Sequence, residues 1–442
     1  MLAFVATAVW LAASGRFDNL SRLLRLPLLL TATPHQAYGE SLRRAGLAES
    51  PLGRRWFTAA AQALAGPVDV TIPRREAIWL PAAEPRALAL RSNLRRGQRL
   101  VVEAGLEAAS PTRIFIDVFE QTDRGFDHVA SAAADSLTID LEVRRDGRYV
   151  VRTQPELLED ARVTLVWRTE PTLQVPVEGA RRPDIQSYFL APRDGGRRDH
   201  HGVDIFARRG TPVVAAAGGI VSSVGTNALG GNVVWVTRPL RGERHYYAHL
   251  EEQLVTAGTQ VSAGQVLGRV GTTGNARGGP PHLHFGIYGA PGPIDPLPYL
   301  EPAATAPPVE GDGELGRWAR LRSPQRIPPA SATGPARPLP AGTLVRVVGA
   351  TARSVRVELP DGTVAYLSRS AIESATAPIQ AIRTTLPIAL TNRPGGVTVD
   401  VVAASTRLDV LGQYADSLYV RGENGQSGWI ARPGPAVARK KG

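Results

Sequence analysis

From Val68 to about Pro176 the apolar residues recur with a period of two, the spacing of an extended chain with one face turned inward. Ile114, Ile116 and Val118 alternate with Phe115, Asp117 and Phe119. Leu137, Ile139, Leu141 and Val143 alternate with mostly polar residues as far as Asp146-Gly147, a tight-turn signal leading into Tyr149-Val150-Val151. The pattern predicts a β-sandwich over residues 67–177, with nothing catalytic in it. Its lone histidine, His128, follows Asp127 and reads as a surface loop residue. The 45 Gly and 36 Pro of the 442 residues extend the inference to the rest of the chain: short strands joined by turns, in a mainly β, multidomain protein.

The ends read differently. Leu2 to Ser14 is uncharged and mostly apolar, too short to span a bilayer but suited to the core of a signal peptide, with small residues at Ala12-Ala13-Ser14. Residues 1–33 are therefore expected to be a signal peptide or a membrane anchor, and the protein to be exported to the periplasm or cell envelope. Over 34–66, Tyr38, Leu42, Leu47, Leu52, Trp56, Ala60 and Leu64 recur at helical spacing, and Gly46 and Pro51 break the run into two short helices. Residues 301–315 read as an Ala/Pro/Gly linker. The tail then repeats. Val357, Asp361-Gly362 and Tyr366 are echoed 63 residues later by Val420, Asn424-Gly425 and Trp429, each copy a strand, a tight hairpin and a strand with an aromatic. This resembles tandem bacterial SH3-like small barrels, expected at 316–376 and 377–438.

The net charge is +11, but the only lysines are Lys440 and Lys441 and the arginines are scattered along the chain. Scattered arginine reads as composition rather than as a built surface, no aromatic-plus-basic motif accompanies it, and no nucleic-acid partner is expected. The absence of cysteine excludes disulfides, thiolate metal sites and a cysteine nucleophile. Nothing indicates an oligomer.

The chemistry concentrates between Arg198 and Tyr288, which holds six of the eight histidines. Histidine both binds transition metals and moves protons near neutral pH. In His200-His201-Gly202-Val203-Asp204 the glycine and β-branched residues disfavour a helix. In an extended chain His200, Gly202 and Asp204 then share a face, and His201 points away. By the same rule His282 and His284 share a face, and Tyr247 is expected on the face of His249. His200, Asp204 and one of the pair His282/His284 would supply three zinc ligands and leave a position for water. The other member of the pair and His249 would take the proton from that water and hold the developing oxyanion. His201 and His245 read as exposed or supporting residues. Gly258 to Gly268 looks like part of a lipoyl- or biotin-carrier domain, but the lysine such a carrier modifies does not exist before residue 440.

HHGVDIFARRGTPVVAAAGGIV, GGNVVWV, YYAHL, GTQVSAGQVLGRVGTTG and PPHLHF together resemble the lysostaphin/LytM-type zinc metallopeptidases, bacterial peptidoglycan endopeptidases with a small antiparallel β fold. The resemblance covers about Arg193 to Leu300, and a peptidase domain is expected at 178–300. It implies that His200, Asp204 and His284 bind Zn2+ and that His249 and His282 are catalytic. Gly286 stands where many members have an acidic residue, Pro280-Pro281 replaces the usual Gly-Pro, and Gly196 to Asp199 shows no sign of the blocking asparagine of latent members. The expected function is zinc-dependent hydrolysis of peptide bonds in peptidoglycan stems or cross-links. The alternative is a catalytically silent or latent wall-binding regulator that activates other hydrolases.

Overall fold

The computed structural model describes residues 32–133, 135–158, 160–327 and 336–432. The expected signal peptide or anchor thus lies almost wholly outside the described residues, among which no helix is long and apolar enough to cross a membrane.

Two helices come first, as the spacing predicts. Helix α1 (Pro34–Arg44) is started by Thr33, whose hydroxyl accepts the Gln36 N–H while the Gln36 side chain accepts the Thr33 N–H. Helix α2 (Pro51–Ala65) starts at Ser50, which caps the Gly53 N–H, and between them Gly46 takes φ +72°. Leu42 and Trp56 pack on Phe115, and the Trp56 indole donates to the Pro155 carbonyl at 2.8 Å.

That contact explains a departure from simple alternation. In the strand Ile114–Thr122, Ile114, Ile116 and Val118 enter the core between two sheets, while Phe115 lies under the helices and Phe119 packs with Ala89 and Val150. Both faces of this strand are covered, and Asp117 between them is buried in an ion pair with Arg152 at 2.6 Å. His128 is exposed as expected but sits within the strand Gly125–Ser131 rather than in a loop, with its ring 2.8 Å from the Ser131 hydroxyl.

The second sheet does not stop at this region. Its strand Arg74–Leu80 pairs on one side with Ala161–Pro171 and on the other with Leu344–Ala350 of the tail, placing Ala77 opposite Ala350. Beside this junction Glu76 is fully buried. Arg74 and Arg356 donate to it at 2.7 and 3.0 Å, and the Tyr366 hydroxyl at 2.9 Å. A buried carboxylate needs this many donors, because each replaces water lost on burial.

Residues 185–294 build a third sheet. Seven of its ten strands, β1 (Ile185–Ser187), β2 (Val203–Phe206), β3 (Gly219–Asn227), β4 (Gly231–Arg238), β5 (Glu243–Gln253), β6 (Gln260–Val261) and β7 (His282–Gly289), follow the spatial order β1-β2-β7-β5-β4-β3-β6, and Pro212–Val214, Val266–Val270 and Gly292–Ile294 pair off this path. One face carries Ile205, Val234, Val236, Tyr247, Leu283, Phe285 and Ile287 into a dry core. The intervening residues of β2, β5 and β7 face the other way and carry the polar chemistry.

Candidate metal centre

Register brings the donors together. β2 and β7 run antiparallel with Asp204 opposite His284 and Phe206 opposite His282, and Ala248 of β5 lies on the other side of His284. His200 precedes β2, its backbone N–H held by the Ala191 carbonyl at 3.0 Å. Gly202 is required at its place: a Cβ there would lie 2.4 Å from the Phe285 carbonyl and 2.8 Å from the His284 ring.

Three donor atoms converge. His200 Nε2 lies 2.9 Å from Asp204 Oδ1 and 2.9 Å from His284 Nδ1, and those two are 3.1 Å apart. Three ligand atoms this close together could hold one small cation between them. The donor set, two imidazoles and a carboxylate, is the one zinc accepts at a site with an open position. Burial would raise the Asp204 carboxyl pKa, but the influence of His200 and His284 beside it outweighs burial and holds it far below the usual carboxylate range. Asp204 is an anion whenever the site is in use.

Residues around the donors fix their orientation. His200 Nδ1 bonds the Tyr188 carbonyl at 2.8 Å, which puts the proton on Nδ1 and the lone pair on Nε2. Arg193 donates to Asp204 Oδ2 at 2.6 Å and to the Ser187 hydroxyl. Its strand, Pro192–Arg193, folds back on Arg198–Asp199 through a turn in which Gly195 and Gly196 take φ of +69° and +87°.

His249 and His282 flank the donors, their rings 5.0 Å apart, and His249 is 6.0 Å from His284. Each bonds a backbone carbonyl through Nδ1, His249 that of Thr273 and His282 that of Pro280, both at 2.9 Å. Each neutral ring therefore keeps Nε2 free as a proton acceptor. Burial, then the neighbouring His282, lowers the His249 pKa to about 4.

The sequence-based expectation for Tyr247 needs correction. Tyr247 points into the core, fully buried, its hydroxyl accepting the Ala216 N–H at 2.9 Å. His249, two residues on, would follow it inward by strict alternation. Instead β5 bulges between Tyr247 and Leu250, and His249 takes φ +64°, which swings its side chain to the opposite face. His245 also departs from its expected place. It is fully buried in the core, with no hydrogen-bond partner at either ring nitrogen, and burial followed by the charge of Arg238 lowers its pKa to about 3. His201 is exposed, as expected. Sequence reasoning missed Arg193, Ser187, Tyr188 and Thr273. Two of them act through backbone carbonyls, which leave no mark in a sequence, and one arginine among many is unremarkable until the fold places it.

Two imidazoles and a carboxylate so placed could hold a metal ion, with two further histidines beside it. Residues 198–296 match the model of Peptidase family M23. Among curated relatives, the L-Ala--D-Glu endopeptidase of Bacillus subtilis (strain 168) is 40% identical over 24% of this chain and 36% of its own length. The glycyl-glycine endopeptidase ALE-1 of Staphylococcus capitis is 37% identical over 24% of this chain and 30% of its own length. The peptidoglycan DD-endopeptidase ShyC of Vibrio cholerae is 38% identical over 22% of each chain. The chain thus spans about a third or less of the length of these relatives.

Proposed function

We propose that residues 178–300 form a zinc-dependent endopeptidase that hydrolyses peptide bonds of peptidoglycan stems or cross-links, in a protein exported to the cell envelope. The observation that carries this reading is the convergence of His200 Nε2, Asp204 Oδ1 and His284 Nδ1 within 3.1 Å of one another, beside two histidines with free Nε2 atoms. The peptidoglycan substrate is supported by the names of the relatives, which specify three different bonds and so leave the bond itself open.

Held by His200, Asp204 and His284, zinc would supply a water acidic enough to react at neutral pH and would polarise the scissile carbonyl. His249, uncharged above about pH 4, accepts the water's proton at Nε2, and the Thr273 carbonyl steadies the imidazolium that results. His282, held by Pro280 and packed 5.0 Å from the Phe206 ring, is positioned to share this proton, support the oxyanion and protonate the leaving amine. Arg193 keeps Asp204 turned with Oδ1 toward the histidines. No side chain here is placed as a covalent nucleophile. The presence of all five groups in one place favours catalysis over a silent regulatory role.

Digestion of purified peptidoglycan followed by mass spectrometry of the released fragments tests the reading. New peptide termini are the expected result. Unchanged cross-links and stems would reject it.

A further inference from the structure

Beyond the donors the open face of the sheet continues as an aromatic shelf. Trp235 of β4 lies opposite Tyr246 of β5, which lies opposite Gly286 of β7. The Trp235 ring is 4.4 Å from that of Tyr246 and 5.2 Å from that of Tyr288, and Tyr246 is in turn 5.8 Å from His284. All three aromatics are half-buried, each with one side supported and the rest in solvent. Gly286 leaves Tyr288 the space it occupies. A Cβ there would lie 2.9 Å from the Tyr288 ring and 2.9 Å from the His201 carbonyl, so any side chain would displace Tyr288.

The charge at the far end is positive. Arg244 is exposed and lies over Trp235 at 5.3 Å, and among the described residues no carboxylate comes within 4 Å of its guanidinium. Arg198, the other cation whose charge reaches the Tyr288 hydroxyl, is half-exposed and paired with Asp194 at 3.0 Å. The nearest acid along β5, Glu243, is buried and turned to Arg96 and Arg238.

We infer that this shelf is a subsite for a peptide carrying a free side-chain or terminal carboxylate beside the scissile bond, with Arg244 as the residue that selects it. A cluster of aromatic rings, tilted 36°, 55° and 83° to one another, offers apolar edges and faces to an extended peptide, and an unpaired guanidinium at its end suits a carboxylate. A neutral glycine chain would make no use of either. The inference rests on the peptide-cleaving reading of the adjoining site.

The test uses two synthetic stem peptides, identical except that the carboxylates are free in one and amidated in the other. Their binding to the full chain is measured by calorimetry with a chelator present, so that no turnover intervenes. The free-acid peptide should bind about tenfold more tightly than its amide at low salt. Arg244→Gln should bring the two within about twofold by weakening only the acid, and Arg244→Lys should restore part of the preference. Trp235→Leu should weaken both peptides together. Equal binding of acid and amide to the wild-type chain, or an equal loss of both in Arg244→Gln, would overturn the inference. Cleavage with zinc restored separates the two claims: selective binding without cleavage leaves the subsite standing and removes the peptidase reading, whereas equal binding and equal cleavage do the reverse.

Discussion

Arg193 donates to Asp204 Oδ2 at 2.6 Å, while the other carboxylate oxygen, Oδ1, faces His200 and His284 at 2.9 and 3.1 Å. The carboxylate is thereby divided into an inner oxygen facing the two imidazoles and an outer one held by the arginine. Removing such an orienting partner typically weakens metal binding 10- to 100-fold. Arg193→Ala is expected to lower zinc affinity by about that factor in a competition titration with a chromophoric chelator, and Arg193→Lys to recover part of it. Unchanged affinity in Arg193→Ala would show that the contact does not orient the ligand.

The two kinds of histidine at the centre should separate by what their loss removes. His284→Ala should lose both metal and activity. His249→Ala should keep about one zinc per chain and lose roughly 10²- to 10⁴-fold in kcat, with little change in KM. Metal analysis alongside steady-state kinetics checks both, and loss of zinc from His249→Ala would move that residue among the ligands.

His245 should give the fold an acid-sensitive step. Its folded pKa, about 3, lies below the ordinary histidine value of 6.5, so its contribution to stability is complete above pH 6.5 and is lost as pH falls toward 3. His245→Leu removes two unpartnered nitrogens from the core and abolishes this dependence. The variant's stability relative to wild type should improve by about 2 kcal/mol between pH 8 and pH 5, read from urea unfolding at both. A constant difference would show that this histidine does not titrate across that range.

Glu76 should hold together two distant parts of the chain. It lies 280 residues from Arg356, yet the two are buried side by side at 3.0 Å where Ala77 pairs with Ala350. Glu76→Ala leaves Arg356 buried without its partner and is expected to cost about 3 kcal/mol or more. Glu76→Gln, which keeps hydrogen-bonding capacity, should cost less. Limited proteolysis should show Leu344–Ala350 released earlier in the alanine variant.

Much of the candidate site was readable because period-two alternation is a local property. His200, Asp204, His282 and His284 face one way for the same reason that Ile205, Leu283 and Phe285 face the other. The same rule misplaced Tyr247, because the bulge before Leu250 and the left-handed backbone at His249 break the alternation, and neither has a composition that announces it. Both helices were legible from the spacing of their apolar residues and from the breaks at Gly46 and Pro51. The sheet linking Arg74–Leu80 to Leu344–Ala350 was not, since pairing across such a separation depends on packing that no local pattern encodes. Arg193 and the Tyr188 carbonyl stayed hidden for a similar reason: the hairpin that brings them to Asp204 and His200 has no signature beyond two glycines.

We propose that metal held by His200, Asp204 and His284 makes this chain a peptidoglycan endopeptidase. The most direct measurement is release of soluble fragments from purified peptidoglycan by the chelated protein as zinc is added back, with His200→Ala in parallel. Release is expected to be absent in chelator, to rise to a plateau at about one zinc per chain, and to stay absent in the variant. Release that persists in chelator, or that survives in His200→Ala, would contradict it.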